Sequence, residues 1–98
     1  MDLSELSDAM HAFVESKGWY APDSVHPQTS RNLAISLVIE AGEVLEQFQW
    51  EENSPGQAHL ADELADVALY LLQLASINAI DLETAILEKL RRNYARDW

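Results

Sequence analysis

The 98-residue sequence contains no cysteine and only three glycines and three prolines. The absence of cysteine excludes disulfide bonds, thiolate metal sites and a cysteine nucleophile, and it fits a reducing cytosol. The N-terminal stretch MDLSELSDAM is acidic and lacks the basic region and the apolar run of a signal peptide. We therefore expect a cytoplasmic protein, and its length predicts one domain over residues 1–98.

Basic residues are also scarce, with six Lys and Arg against 17 Asp and Glu, and the net charge is −11. Such a charge argues against polymeric nucleic acid or an anionic membrane surface as the main partner. Position alone leaves two interpretations of the C-terminal basic residues open, which are cations near the end of a helix and a patch for a phosphate group. These residues are Lys89, Arg91, Arg92 and Arg96.

No stretch shows the alternation of a strand or an internal repeat, and four segments are predicted helices. An apolar stripe beginning at Leu3 marks the first helix, which should end near Lys17-Gly18. A proline-containing loop from Trp19 to Ser30 follows, and the stretch EENSPGQ predicts a short connection later in the chain. The other predicted helices are Arg31 to Trp50, Ala58 to Ala79, and a last one with Asp81 as its N-cap.

The third predicted helix contains the sequence LADVALYLLQLASINAI and is apolar on nearly every face. It is too short, and too interrupted by Asp66, Gln73 and Asn78, for a good membrane span. Three short helices of the same chain can hardly surround such a helix. We therefore expect an all-α, four-helix bundle in which the second and third helices pack antiparallel and another copy of the chain completes the core.

Two pairs of carboxylates, Glu40 with Glu43 and Glu63 with Asp66, are spaced i, i+3 on these two helices. Each pair lies on one helical face, and antiparallel packing places the two pairs at one level. The flanking residues are apolar, so carboxylates at these positions need partners. Hard oxygen ligands without His or Cys suit Mg²⁺ or Mn²⁺. The spacing is equally compatible with a solvated acidic stripe.

At these positions the sequence resembles the all-α nucleoside triphosphate pyrophosphohydrolases of the MazG type. That family carries E-x-x-E on one helix and E-x-x-D on the next, and the four carboxylates match both the order and the separation. The wider pattern is similar to the branch of the dCTP pyrophosphatases over about residues 10 to 96. The matching residues are Trp19, Arg31-Asn32-Leu33, Glu40-Ala41-Gly42-Glu43, Phe48-Gln49-Trp50, Glu63-Leu64-Ala65-Asp66, and Lys89, Asn93 and Arg96.

The chain departs from many MazG-type proteins at Ile39, where those proteins carry a second glutamate. The dCTP-pyrophosphatase-like branch also lacks that acid, so Ile39 indicates a branch and not a loss of activity. His11 is one position out of register with a histidine of the branch, and the loop before Arg31 is longer. Neither His11 nor His26 is therefore assigned a role.

The resemblance implies hydrolysis of a nucleoside triphosphate between the α and β phosphates, giving the monophosphate and pyrophosphate. It also implies that Glu40, Glu43, Glu63 and Asp66 bind Mg²⁺, which would offset the repulsion between the carboxylates and the phosphates and polarise the α-phosphate. Glu43 or Glu40 is the candidate base for the attacking water. No Ser or Lys stands in an activating context, so we expect no covalent intermediate.

Two tryptophans, Trp19 and Trp50, are candidates for stacking on the base, because an indole stacks on any nucleobase. A place in the hydrophobic core is the alternative for each. The resemblance further implies a group of contacts to phosphate or sugar, some of which a neighbouring subunit can supply. These predicted contacts are Arg31, Asn32, Lys89, Asn93 and Arg96.

We therefore expect a homo-oligomeric enzyme that removes unwanted deoxynucleotides, with dCTP as one candidate substrate and the base preference open. The resembling branch predicts a tetramer built as a dimer of dimers. A ferritin-like di-iron bundle is disfavoured, because it pairs Glu with His at i, i+3 where this chain has Glu46 and Asp66. The remaining alternative is a non-enzymatic helical oligomer that acts as an interaction or regulatory module.

Overall fold

The computed structural model of the chain describes residues 1–50 and 56–97. Over these ranges it consists of four α-helices and contains no strand, which confirms the predicted all-α fold. The helices are α1 (Leu3–Ser16), α2 (Ser30–Glu46), α3 (Gln57–Ile77) and α4 (Leu82–Ala95). Most of the predicted EENSPGQ connection lies outside the described residues, as does Trp98.

Three of the helices begin at a side-chain N-cap. Asp2, Thr29 and Asp81 each accept a hydrogen bond from the backbone N–H three residues later. Such a bond satisfies one of the free N–H groups at a helix start. The predicted cap at Asp81 is thereby confirmed, and the predicted start of the second helix is correct to one residue.

The predicted end of the second helix at Trp50 is wrong, because α2 ends four residues earlier at Glu46. The backbone N–H groups of Gln47, Phe48 and Gln49 each donate to the carbonyl three residues before, at 3.0 to 3.2 Å. Such i to i+3 bonds tighten the chain after a helix and use the carbonyls that the last turn leaves free. The sequence through Trp50 remains compatible with a helix, so its pattern could not show this change.

Helix α3 is central and packs against all three other helices. Helices α2 and α3 are antiparallel, as predicted. At one end the Asn78 side chain, directly after α3, donates to Ser30 Oγ at the start of α2 at 3.0 Å. Farther along, Glu63 near the start of α3 faces Glu40 and Glu43 near the end of α2. This antiparallel register positions the candidate site.

The hydrophobic core of the single chain is small. Its main cluster consists of Met10, Val14 and Leu72, with Trp19 and Tyr20 among the residues packed against it. Many large apolar side chains of α2, α3 and α4 are exposed, such as Val38, Leu64, Leu87 and Tyr94. Within the described residues, α3 is therefore buried around Leu72, Gln73 and Ala75 but leaves Leu64 and Leu71 exposed.

A sharp corner separates α3 from α4. Ala79 N–H donates to the Ser76 carbonyl at 3.0 Å and Ile80 N–H to the Ala75 carbonyl at 2.9 Å, which is the Schellman arrangement. Ala79 occupies its left-handed position, with φ of 56°. No single described helix is long and apolar enough to cross a membrane, and the combination of α3 and α4 that reaches this length and composition is bent by 101°.

Candidate active site

Three carboxylates converge between α2 and α3. Each of Glu40, Glu43 and Glu63 offers one oxygen that lies within 4.8 Å of the other two. The three side chains are half-buried. Glu40 and Glu43 stand one turn apart on α2, and the antiparallel register brings Glu63 opposite them. We call these three residues the carboxylate group.

Two oxygens of the carboxylate group have unusual surroundings. Glu40 Oε2 and Glu63 Oε2 are buried, and no described residue donates a hydrogen bond to either. A buried oxygen without a donor is costly, so such atoms are rare unless an ion, a water or a ligand satisfies them. Two orphaned oxygens in a set of hard oxygen donors fit a divalent cation such as Mg²⁺. The residues present therefore suit the predicted metal.

The electrostatics of the carboxylate group also indicate that it requires a bound positive charge. Burial raises the pKa of Glu40 to about 7, with further increases from a hydrogen bond and like charge of Glu43 and from the charges of Asp66 and Glu63. Burial also raises the pKa of Glu63, again with Glu43 as the next cause. The group therefore disfavours full ionisation near neutral pH, and either a proton or a cation would stabilise it.

Asp66, the fourth predicted ligand, follows Glu63 by one turn on α3 but is not a member of the carboxylate group. Its negative charge nevertheless contributes to the raised pKa of both Glu40 and Glu63. Asp66 also lines a neighbouring cavity. It therefore stands at the border between the carboxylates and the cavity, and its role as a metal ligand stays a prediction.

Asp66 forms part of the wall of a cavity of about 840 Å³. Residues of α1, α2, α3 and the loop after α1 enclose it, and most of its wall is apolar. A largely apolar concave surface with a few polar groups is the usual form of a small-molecule site. The polar residues of the wall, besides Asp66, are His26, Gln28, Asn32, Ser36, Tyr70 and Gln73.

Trp19 forms part of this wall. Its indole makes edge-to-face contacts with Phe13, at 5.8 Å between ring centroids, and with His26, at 5.9 Å. The side chain is half-buried and also packs on the Met10 cluster. The two interpretations of Trp19, core residue and pocket residue, are therefore compatible in this fold.

A sequence model of the MazG-like family matches residues 35–97, which include every residue of the carboxylate group. The chain belongs to the MazG-like family. This finding confirms the resemblance drawn from the spacing of the four acidic residues.

Individual relatives of this MazG-like chain agree with that assignment. It is 41% identical to human dCTP pyrophosphatase 1 in an alignment 75 positions long, which covers 67% of this chain and 44% of the human protein. The rat protein of the same name is 40% identical over the same shares. The chain thus spans less than half the length of these curated relatives. A crystal structure of a pyrophosphatase from Archaeoglobus fulgidus is similar with a TM-score of 0.78 and 33% identity, over 93% of this chain and 87% of that chain.

The other predicted substrate contacts of the MazG-like chain are spread over the fold. Asn32 lines the cavity, and its side-chain amide donates to the Pro27 carbonyl at 3.0 Å. Trp50 is 88% exposed, Arg31 is exposed, and neither is part of the described cavity wall. The three remaining predicted contacts to phosphate or sugar lie on α4 or directly after it, and they stay predictions. They are Lys89, Asn93 and Arg96.

Sequence reasoning missed the polar side chains that the MazG-like chain places in and behind the cavity wall. Gln73 was interpreted only as an interruption of an apolar helix, and Tyr20, Gln28 and Ser76 were not singled out. The available signal was a Gln within a helix that is otherwise apolar on nearly every face. A buried amide requires partners, but the sequence does not indicate where those partners lie.

Proposed function

We propose that the chain hydrolyses nucleoside triphosphates between the α and β phosphates, and that dCTP is a candidate substrate. The observation that carries this proposal is the continuity, through Asp66, between the carboxylate group and a mostly apolar cavity. A triphosphate nucleotide has the matching division into a flat base and a string of anionic phosphates. The dCTP pyrophosphatase and pyrophosphatase names of the relatives support the same reaction.

In this proposal the base enters the cavity, where Trp19 offers a stacking surface. Glu40, Glu43 and Glu63, with Asp66 as a fourth ligand, would hold Mg²⁺, or Mn²⁺ in its place. The metal would supply charge neutralisation and polarisation of the α-phosphate. Glu43 or Glu40 would accept the proton of the attacking water, because both carboxylates project from the same face of α2.

We also propose a homo-oligomer, with a tetramer built as a dimer of dimers favoured over a dimer. The number of large apolar side chains exposed on α2 and α4 supports it, because apolar surface is covered at association sites. On α4, Leu87, Leu90 and Tyr94 are exposed while Asn93 Oδ1 is buried without a hydrogen-bond partner among the described residues. Packing of α4 against another copy would carry Lys89 and its neighbours toward a second active site. The cytoplasmic location stays a prediction.

The decisive experiment incubates the purified protein with ribo- and deoxynucleoside triphosphates in Mg²⁺, in Mn²⁺ and in chelator, and resolves all phosphate-containing products. Metal-dependent formation of monophosphate and pyrophosphate is the expected result. Diphosphate and orthophosphate would place cleavage at the β–γ bond and contradict the proposal. No turnover of any nucleotide would favour the alternative of a non-enzymatic interaction module, for which the exposed apolar faces are the supporting observation.

A further inference from the structure

A continuous series of hydrogen bonds runs through the cavity wall and includes Gln73. This residue is only 3% exposed and is the one buried polar side chain of the described ranges. Its Nε2 donates to Gln28 Oε1 at 2.8 Å and to the Tyr20 hydroxyl at 3.2 Å. Gln28 Nε2 in turn donates to the His26 carbonyl at 2.6 Å. We call the series from the His26 carbonyl to Ser76 the polar chain.

The His26 carbonyl fixes the direction of the polar chain, because a backbone carbonyl can only accept a hydrogen bond. Gln28 must turn its NH₂ group toward that carbonyl, so its oxygen faces Gln73. Gln73 must then turn its own NH₂ group toward Gln28 and Tyr20. The opposite orientation of the Gln73 amide would bring two oxygens together at Gln28, so the network excludes it.

The other end of the polar chain agrees with this direction. Tyr20 accepts from Gln73 at 3.2 Å, and its hydroxyl also forms a hydrogen bond of 2.6 Å with His11 Nδ1. Burial, the largest cause, raises the pKa of Tyr20, so the hydroxyl keeps its proton at neutral pH. With its proton on Nε2, His11 accepts from Tyr20 and donates to Ser76 Oγ at 2.6 Å, and the other tautomer would reverse both bonds. The direction from Gln28 to Gln73 and from Gln73 to Tyr20 is the same for either tautomer.

The consequence concerns the remaining atom of the Gln73 amide. Both of its N–H groups are committed, and no described residue donates to its carbonyl oxygen. Among the described residues, three side-chain atoms are fully buried without a hydrogen-bond partner, and the Gln73 oxygen is not one of them. Gln73 also lines the cavity. Gln73 therefore offers, from a cavity-lining residue, an acceptor oxygen without a described donor, and its bonds to Gln28 and Tyr20 fix the orientation of that amide in advance.

We propose that Gln73 determines base specificity by accepting a hydrogen bond from the exocyclic amino group of the base, and that Tyr20 and His11 are positioning residues for it. The inference rests on the proposed function and deepens it. Cytosine presents an amino group where uracil presents a carbonyl oxygen. A uracil oxygen opposite Gln73 would leave two acceptors facing each other without a proton, which a buried site rejects strongly.

The test compares kcat/KM for dCTP and dUTP, which differ at this position of the base. The wild-type protein should prefer dCTP, and Gln73→Leu should lower the dCTP/dUTP ratio by about 10- to 100-fold, mainly through dCTP. Leu71→Met is the control, because Leu71 lies on the same helix but is exposed and outside the described cavity wall, and the change conserves volume. The control should leave the ratio within about twofold of wild type. A ratio that Gln73→Leu does not change would overturn the proposal.

Tyr20→Phe tests the role of Tyr20 in positioning Gln73. It is also the second test of the proposal if Gln73→Leu does not fold. It keeps the ring but removes the acceptor of one Gln73 N–H. Gln28 still orients the amide, which can now tilt about that one remaining hydrogen bond, so the ratio should fall by up to about tenfold. A structural role alone would change kcat or KM for both nucleotides together and leave the ratio intact. An unchanged ratio in a folded Tyr20→Phe variant would contradict the positioning role.

Binding of dCMP and dUMP in chelator, measured by calorimetry, separates this inference from the proposed reaction. Tighter binding of dCMP that Gln73→Leu removes, in a protein that hydrolyses no triphosphate, would refute the reaction and support the role of Gln73. Hydrolysis of dCTP and dUTP at equal rates, with equal binding of the two monophosphates, would support the reaction and refute the role of Gln73.

Discussion

The carboxylate group and the polar chain are both partly buried and share the helix α3, but they differ in how their polar atoms are satisfied. The carboxylate group combines like charges with two orphaned oxygens. In the polar chain each side chain from Gln28 to His11 forms hydrogen bonds with its neighbours. A site that must bind a cation is built from groups that repel without it, whereas a site that must hold one side chain in place is built from groups that satisfy one another. Substitutions in the first should therefore affect activity, and substitutions in the second should affect stability and selectivity.

The largest expected effect is on turnover. Glu43→Gln should reduce kcat by about 10³-fold or more, because Glu43 lies beside both Glu40 and Glu63 and an amide cannot replace its charge at a metal. The free energy of unfolding should stay equal or rise, because the substitution removes a like charge from the carboxylate group. Steady-state kinetics and thermal melting of the same preparation measure both.

Glu46→Gln is the matched control, since Glu46 lies on the same helix but is exposed and outside the carboxylate group. It should keep wild-type turnover. Full activity in Glu43→Gln would show that the metal is bound elsewhere.

The next effect is the response of stability to metal. A cation that binds only the folded chain stabilises it by about 2.7 kcal/mol at a concentration 100 times its dissociation constant. Thermal melts should therefore shift upward when Mg²⁺ replaces chelator in the wild-type protein and in Glu46→Gln. Glu43→Gln should respond much less. An equal shift in all three proteins would mean that the cation acts through general screening of the net charge of −11.

The carboxylate group also predicts a pH dependence in chelator. The pKa of Glu40 is raised from 4.5 to about 7 on folding, so the folded state holds this proton more tightly than the unfolded state. Its contribution to stability is complete below the lower value and is lost as the pH rises to the upper one. The melting temperature should therefore fall between about pH 5 and about pH 7, and Glu40→Gln should weaken that fall. A Glu40→Gln variant with the wild-type pH profile would contradict the assignment.

Breaking the polar chain should lower stability and leave the response to Mg²⁺ unchanged, which is the opposite of the effect expected for Glu43→Gln. His11→Leu removes the acceptor of the Tyr20 hydroxyl and the donor to Ser76. Leaving a half-buried hydroxyl unpaired costs up to about 1 to 3 kcal/mol, which should lower the melting temperature by about 4 to 8 °C per kcal/mol in a chain of this size. The Mg²⁺-induced shift should stay as in wild type. A loss of that shift in a folded His11→Leu protein would mean that the two clusters are coupled.

The two clusters also differ in how far the sequence could predict them. The carboxylate group followed from i, i+3 spacing on two helices joined by a short connection, because such a connection restricts how far the helices can slide. The polar chain joins residues 9, 45, 53 and 65 positions apart, and no local period links them. Its direction depends on a backbone carbonyl in a loop, which has no signature in the sequence. Oligomerisation was inferred from the apolar α3, and the single chain leaves that inference as a proposal.

The smallest expected effect is on the free energy of unfolding when the helix backbone is changed outside both clusters. It tests whether the stability of the helices can change without a change in function. Ala79 holds the left-handed position of the corner between α3 and α4, with φ of 56°. This conformation costs an L-residue roughly 1 to 2 kcal/mol, and glycine avoids that cost but loses more chain entropy on folding. Ala79→Gly should therefore stabilise the protein by up to about 1 kcal/mol, whereas Ala85→Gly, inside α4, should destabilise it by about 1 kcal/mol. Urea denaturation measures both. If turnover and the Mg²⁺-induced shift stay unchanged in both variants, the stability of the frame is separable from the function of the carboxylate group. If Ala79→Gly is destabilising, the corner depends on the alanine side chain and not on its backbone conformation.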